Sequence, residues 1–547
     1  MRIALAQYDP VIGDVEGNAA KVREGVEVAR KKEADLVVFP ELIISGYPPQ
    51  DLLEHDAFVK RCLDTVETLA KENTGPGIIL GAPSFVQGHE GKKRYNSAFL
   101  LANGEVRSVH HKSLLPDYDV FDEYRHFEAA PERSLILFGG ERIALTICED
   151  LWDLQEGLGY SDHPMKELAD QGATLMINIA ASPFDRYHPE LRRALMAKNA
   201  REYQLPLFYA ANVGAQTDLI FDGGSMVLNA EGERVAEMPY FKSAVECFDT
   251  ERLERGKTDR LPDPEERIYR ALLLGLRDFF GKLGMKKAIV GLSGGIDSAL
   301  TCAITCDALG ADNVYAVMMP SDFSSEHSVE DSRALVKNLA CPSDLYPIRS
   351  IYEEYHRTLA PAFEGSEFGL AEENLQARSR AVLLMALSNK FGQLLLNTSN
   401  KSELAVGYGT LYGDLCGALS VIGDLYKTEA YRLAEHLNRH EERIPRSIIE
   451  KAPSAELKPE QRDTDSLPPY EELDEILYRY IEERKEHRSI VTEGFDESTV
   501  KEVLKAVDSS EFKRYQAAPV LRISKKAFGI GRRMPLIRSF TEPGGSI

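Results

Sequence analysis

Two rhythms of apolar and polar positions alternate along the first half of the chain. RIALAQ (2–7), ADLVVFPEL (34–42), RIALTI (142–147) and ATLMINIAA (173–181) are short, almost unbroken apolar runs, and they predict strands. RIALAQ leads to a helical pattern and then to ADLVVFPEL; RIALTI leads to a helical pattern and then to ATLMINIAA, so the region reads as two similar halves. Between them, FLLANGEVRSVHHK (99–112) predicts a hairpin whose Asn103-Gly104 suits a tight type I′ turn. SMVLNAEGERVAEM (225–238) predicts a second hairpin that closes the region. Strands spaced this regularly imply a layered α/β domain, a sandwich of sheets with helices outside.

The pattern lapses over residues 249–264 (DTERLERGKTDRLPDP), which are charged, hold two prolines and lack an apolar period. They read as a linker between a domain at 1–248 and another at 265–547. Asp263-Pro264 predicts a helix start, a cap residue followed by a proline where no N–H is needed. Ile268, Leu272, Leu276 and either Phe279 or Phe280 then share one helical face. KKAIVGL, a helix, VYAVMMP, a helix and LYPIRS follow, the alternation of a doubly wound parallel sheet, in which ligands sit at the carboxyl ends of strands. The polar, proline-rich stretch 451–475 predicts a mobile surface loop near a site.

Composition narrows the picture. The chain has 547 residues, 43% hydrophobic and 28% charged, in the range of soluble globular proteins. A net charge of -22 argues against a nucleic-acid or membrane-surface partner. The seven cysteines (62, 148, 247, 302, 306, 341 and 416) show no CxxC pairing, which disfavours a disulfide framework or a zinc site and fits a reducing compartment. Residues 2–6 read as a strand rather than a leader, and no apolar run approaches the roughly 18 residues of a membrane span. A cytoplasmic location is expected.

Three reactive residue types fall just after strand-like segments: Glu41, Lys112 and Cys148. Together they permit acyl transfer. A thiolate attacks an amide carbonyl, an ammonium lowers the thiol pKa and steadies the oxyanion, and a carboxylate shuttles the proton. Taken singly, each has a bland reading: a core thiol, a solvated lysine, a helix cap. His110 and His111 lack further ligands at metal-binding spacing and read as structural. The conjunction changes the balance, because FPELIISGY, HHKSLLPDYDVFDE and TICEDLW resemble, in order, three motif blocks of the nitrilase (carbon–nitrogen hydrolase) superfamily. The resemblance spans roughly residues 1–245. It implies an αββα sandwich with Glu41 as general base, Lys112 as oxyanion and orienting group, and Cys148 as nucleophile. The glutaminase branch of that family further implies that Tyr118, Ser182 and His188 bind the substrate amino acid; relatives often have a basic residue where His188 stands.

GLSGGIDS (291–298) follows a strand-like run and opens into a helix, the arrangement that aims backbone N–H groups at a phosphate. It lacks the Gly-Lys-Ser/Thr ending of a P-loop and supplies an Asp instead. The stretch resembles the loop of ATP pyrophosphatases, which cleave ATP between the α- and β-phosphates. That resemblance places Gly291, Leu292, Ser293 and Gly294 against ATP, together with Gly295, Ile296, Asp297 and Ser298. It also implies that magnesium at Asp297, rather than an ammonium, carries the positive charge. NLQARSR (374–380) and LNTSNKSELAVGYGT (396–410) resemble blocks of the NAD synthetases, in which Thr398 would contact ATP and Glu403 would bind magnesium or substrate. The same blocks place Asn374 and Arg380 against deamido-NAD, and EFKR (511–514) makes Lys513 a phosphate partner. Some ammonia-only relatives have a lysine where Leu411 stands.

The whole chain resembles the glutamine-dependent members of the NAD synthetase family. The resemblance implies ATP and Mg2+, glutamine or ammonia and deamido-NAD as small-molecule partners, and a homo-oligomer. It also implies a shielded route for ammonia, since ammonium is not nucleophilic. Two alternatives stay open on residues alone: an amide-forming enzyme for another carboxylate acceptor, and a nucleotide-binding sensor derived from such an enzyme.

Overall fold

In the computed structural model of the chain, the described residues are 1–86, 94–155, 157–256, 260–458 and 461–538. Residues 257–259 of the expected linker and 459–460 of the expected loop lie outside them. The chain divides into two units, Met1–Pro262 and Asp263–Ile547.

Among its described residues the first unit has fourteen strands in chain order: β1 (Arg2–Gln7), β2 (Leu36–Val38), β3 (Gly77–Phe85), β4 (Arg94–Ala102), β5 (Glu105–His111), β6 (Ile136–Phe138) and β7 (Glu141–Ile147), then β8 (Leu175–Ala180), β9 (Leu207–Ala211), β10 (Val213–Gln216), β11 (Leu219–Asp222), β12 (Met226–Leu228), β13 (Arg234–Glu237) and β14 (Ala244–Asp249). They form two six-stranded sheets, β14-β1-β2-β3-β4-β5 and β6-β7-β8-β9-β12-β13, plus the small β10-β11 pair. Both large sheets run through the same sequence of pairings: antiparallel, parallel, parallel, antiparallel, antiparallel. The two similar halves visible in the sequence are these two sheets.

The unbroken apolar runs follow from burial on both faces. On β1, Ile3 and Leu5 point into a core shared with Ile143, Leu145 and Ile177 of the second sheet. The intervening Ala4 and Ala6 face helices Val15–Lys31 and Asp56–Glu72 through Ala19, Val22, Cys62 and Val66. Helix, sheet, sheet, helix is therefore the layer order of this unit. At the expected hairpin, Asn103 (φ 55°) and Gly104 (φ 82°) both adopt left-handed conformations, as a type I′ turn requires.

The expected strand at 34–42 stops at Val38. Pro40 has no N–H to donate to a ladder, and Leu42 turns the chain at φ 48°, which takes Glu41 out of the sheet.

The second unit opens with helix Pro264–Lys282, which buries Ile268, Leu272, Leu276 and, of the two phenylalanines, Phe280. Asp263 stands at its cap position without a side-chain capping bond; its backbone carbonyl instead accepts from Arg267 N at 3.0 Å. Five parallel strands follow: β15 (Ala288–Leu292), β16 (Val314–Met318), β17 (Ser343–Leu345), β18 (Leu394–Asn397) and β19 (Leu419–Ser420). Their order, β17-β16-β15-β18-β19, makes the sheet doubly wound, with its switch point between β15 and β18. β17 lies before most of LYPIRS, since Pro347 cannot extend the pairing and Arg349 already opens a helix.

The stretch 451–475 is not an open loop. Helix Tyr470–Ile481 begins inside it, with Tyr470, Leu473, Ile476 and Leu477 in a core cluster. Lys451, Glu456 and Gln376 pin its first part: Glu456 meets Lys451 at 2.8 Å and accepts from Ser328 Oγ at 2.7 Å, and Gln376 Nε2 donates to Leu457 O at 2.8 Å.

Candidate active sites

In the first unit, the ends of three strands bring Glu41, Lys112 and Cys148 into one electrostatic cluster. Glu41 is fully buried. Its Oε1 accepts from Lys112 Nζ at 2.8 Å and from Asn96 Nδ2 at 2.7 Å, and its Oε2 accepts from Ala181 N at 2.8 Å. Lys112 also donates to Glu123 Oε1 at 2.8 Å, and Tyr47 OH donates to the same oxygen at 2.8 Å. Glu123 closes the HHKSLLPDYDVFDE block yet was not among the expected residues; an acidic residue near an N-terminal helical turn carries no signal of its own.

Cys148 follows β7 directly and opens a single 3₁₀ turn, Cys148–Leu151, with φ 43° and only 2% of its surface exposed. A non-glycine residue in this region is held there by its surroundings, and Asp150 does the holding. One Asp150 oxygen accepts from Ser113 N (2.9 Å) and Leu114 N (2.8 Å), the other from Ile147 N (3.0 Å). A single carboxylate thus ties the chain after Lys112 to the chain before Cys148.

Charges in this cluster oppose one another. Burial works against the ammonium of Lys112, but Glu123 and Glu41 outweigh it and lift the pKa well above the ordinary lysine value. Burial raises Cys148 well above an ordinary thiol; Glu41 adds to the rise and Lys112 only partly offsets it. The ammonium does lower the thiol pKa, as expected, but burial and Glu41 outweigh it. Burial and the neighbouring carboxylate thus favour the protonated form of the sulfur.

Tyr118, Ser182 and His188 lie around this cluster in two pairs. Tyr118 OH donates to Glu149 Oε1 at 2.9 Å, and Tyr160 OH donates to the same oxygen at 2.8 Å. Burial raises the Glu149 carboxyl to about 7, with Lys112 and the two tyrosines opposing the rise. Ser182 Oγ and His188 Nε2 lie 2.7 Å apart, and the His188 ring stacks on Trp152 with centroids 5.0 Å apart. Glu149 and Trp152 both stand inside the TICEDLW block, beside the residue singled out there.

In the second unit, a cavity of about 590 Å³ opens at the switch point of the sheet. Its walls include Gly291, Leu292, Ser293, Gly295, Ile296, Asp297 and Ser298 from the glycine loop, and Thr398 at the end of β18. Asn374, Arg380, Glu403 and Lys513 line it as well. Gly294 acts from behind the wall. Its φ is 78°, and a Cβ there would lie 2.5 Å from the Ser328 carbonyl oxygen, so only glycine fits. The loop bonds to itself: Gly295 N donates to Ser293 Oγ at 3.2 Å, and Ser293 N donates to Ser298 Oγ at 3.2 Å. Gly295 then caps helix Ile296–Leu309, whose N-terminus faces the cavity.

An ammonium does stand beside Asp297, contrary to the expectation for this loop. Lys427, first residue of helix Lys427–Leu437, meets Asp297 Oδ2 at 2.5 Å and Glu403 Oε1 at 3.2 Å, and Asn400 Nδ2 donates to Asp297 Oδ1 at 3.0 Å. Burial raises Glu403 to about 8, with Lys427 lowering and Asp297 raising it. Lys427 itself is raised despite burial, by Asp297 and Glu403. Asp297 and Glu403 thus set hard oxygen donors side by side at the cavity wall, a donor set that suits a divalent cation such as magnesium once both are ionised.

The remaining expected residues make defined contacts. Thr410 Oγ1 donates to Asn374 Oδ1 at 2.7 Å. Arg380 Nε donates to Met319 O at 3.0 Å, and burial lowers its guanidinium to about 10. Lys513 Nζ donates to Gly407 O (2.7 Å) and Gly409 O (2.8 Å). Lys427, Arg378 and Asp414 also line this space, and Asn400 supports it from behind through Asp297; none was expected. They lie in segments whose periodicity shows only helix or turn.

Residues 2–248 match the carbon–nitrogen hydrolase family, and residues 268–517 match the NAD synthase family. A glutamine-dependent NAD(+) synthetase of Synechocystis sp. is 45% identical, with 100% of each chain covered. The chain belongs to the glutamine-dependent NAD(+) synthetases. The Thermotoga maritima glutamine-dependent NAD(+) synthetase is 40% identical over 99% of both chains. A solved structure of the Acinetobacter baumannii glutamine-dependent NAD+ synthetase in complex with ADP superposes with a TM-score of 0.78 at 37% identity, covering 99% of each chain. A nitrilase-like layered unit and a parallel-sheet synthetase unit are thus what the family joins in one chain.

Proposed function

We propose that the chain is a ligase that makes NAD from deamido-NAD, with ATP as activator and glutamine as nitrogen donor. The observation that carries this reading is the coexistence of two complete constellations: Glu41–Lys112–Cys148 in one unit, and the glycine loop with Asp297, Lys427 and Glu403 around one cavity in the other.

At the first site, the Cys148 thiol attacks the glutamine carboxamide as Glu41 accepts its proton. Lys112, held cationic by Glu41 and Glu123, orients Glu41 and stabilises the developing oxyanion. Collapse of the tetrahedral adduct expels ammonia, which takes its proton from Glu41, and leaves a thioester. Water then releases glutamate and restores the thiol. The Glu149 carboxylate, between Tyr118 and Tyr160, is the counterion for the amino group of glutamine, and Ser182 with His188 receives its carboxylate.

At the second site, the nicotinate carboxylate attacks the α-phosphate of ATP, forming an adenylate and pyrophosphate. Ser293, Gly295 and Ser298, at the amino end of a helix, cradle the departing pyrophosphate, and Lys427 turns from the carboxylates to the phosphates. Asp297 and Glu403 would hold magnesium, which neutralises phosphate charge when bound. Thr398 contacts the nucleotide, and Asn374, Arg380 and Lys513 bind the dinucleotide. Ammonia attacks the adenylate carbonyl and AMP leaves. Activation is needed because a free carboxylate is a poor acyl donor.

Among the described residues, no helix is long and apolar enough to cross a membrane, and a cytoplasmic homo-oligomer is the form we assign. The deciding experiment is a product assay with ATP, deamido-NAD and either glutamine or ammonia. NAD, AMP and pyrophosphate are expected with both donors, and glutamate with glutamine. Pyrophosphate release with another carboxylate but none with deamido-NAD would reassign the acceptor.

A further inference from the structure

Helix Ile296–Leu309, whose amino end forms the glycine loop, carries Cys302 and Cys306 one turn apart on the same face. Cys341 reaches that face from another element: it follows Ala340, the left-handed C-cap (φ 53°) of helix Glu326–Leu339, just before β17. The three sulfurs lie within 4.8 Å of one another, and their residues are 0%, 6% and 7% exposed. None is in a disulfide.

Three buried thiols are often no more than small apolar fillers. Filler thiols have no reason to converge from separate elements with all three sulfurs at ligating distance. Three sulfurs bonded at about 2.3 Å to one trigonal ion stand about 4.0 Å apart, inside the 4.8 Å that bounds this cluster.

We propose that Cys302, Cys306 and Cys341 form a binding site for a soft monovalent cation of the Cu(I) type. Among the described residues no fourth His, Cys, Asp or Glu joins the group. The nearest acid in sequence, Asp307, is held elsewhere, by both Arg443 guanidinium nitrogens at 2.6 Å and by Tyr269 OH at 2.6 Å. Zinc prefers four ligands, whereas three sulfurs complete a trigonal Cu(I) centre. Binding forms metal–sulfur bonds with no change of oxidation state, and any thiol proton displaced passes to solvent.

The bound ion would pin the helix of the glycine loop to the turn before β17. The test is anaerobic titration of the full-length chain with Cu(I) held by a chromophoric chelator, without nucleotide or glutamine, so that its outcome is separate from that of the product assay. The expected result is withdrawal of one equivalent per chain, with thiolate-to-copper charge-transfer absorbance and a higher melting temperature. Cys341→Ser and Cys306→Ala should each lose that equivalent while circular dichroism stays native; having two variants guards against one failing to fold. Cys416→Ser and Cys62→Ser should keep it. Absence of uptake by the wild type, or undiminished uptake by both cluster variants, overturns the site. Preferential uptake of Zn2+ from a matched chelator overturns the three-sulfur monovalent assignment.

Discussion

In the mechanism we propose, the chemistry at Cys148 depends on a thiol whose pKa burial raises and on a carboxylate that takes its proton. Cys148→Ala should cut glutamine-supported synthesis by on the order of 10³-fold or more, yet leave ammonia-supported synthesis near wild type at high ammonium. Parallel loss of both activities in a folded variant would break the division of labour. Glu149 offers a pH test. Its carboxyl is raised to about 7, so it is protonated just below neutrality and cannot then counter the amino group of glutamine. The KM for glutamine should climb as pH drops through about 7, and Glu149→Gln should flatten that limb at a KM raised at least about tenfold. Stability should move the opposite way. A raised folded pKa means the contribution of this acid is full below the ordinary carboxylate range and fades as pH rises through about 7. Melting curves of Glu149→Gln should therefore gain on wild type above neutrality. Glu149 itself was within sight in TICEDLW, but only its burial between two tyrosines singles it out.

Turns and helix ends, rather than strands, hold the reactive groups. Asp150 joins two of them, and Asp150→Ala would leave three buried N–H groups without their acceptor. A loss of about 3 kcal/mol is expected from denaturant unfolding of the first unit, with weakened glutamine hydrolysis. Gly294→Ala would put a non-glycine residue at φ 78° and drive its Cβ into the Ser328 backbone. It should abolish synthesis with either nitrogen donor and leave glutamine hydrolysis measurable; retained synthesis would show that the loop can open without harm. The strands and the type I′ hairpin were legible because period and turn chemistry are local. The helix at Tyr470–Ile481 was not, since the prolines just before it and its own acids mask an apolar face that only a packed neighbour reveals.

Across the whole chain, two units with separate chemistry should be separable by mutation. Asp297→Ala should eliminate NAD formation from glutamine and from ammonia while sparing some glutaminase activity, read as glutamate release against pyrophosphate release. Loss of glutamate release in step with pyrophosphate release would mean that hydrolysis waits on the nucleotide site. The order of apolar runs and the position of the glycine loop were already readable along the chain, because strand period, turn chemistry and motif spacing are properties of neighbours in sequence. Folding decided the rest. Glu123 and Asp150 act by closing on residues 11 to 37 positions away, Lys427 reaches Asp297 across 130 positions, and Cys341 meets Cys302 and Cys306 from another element. Such partners are chosen by burial and charge balance, which exist only once distant segments share one interior.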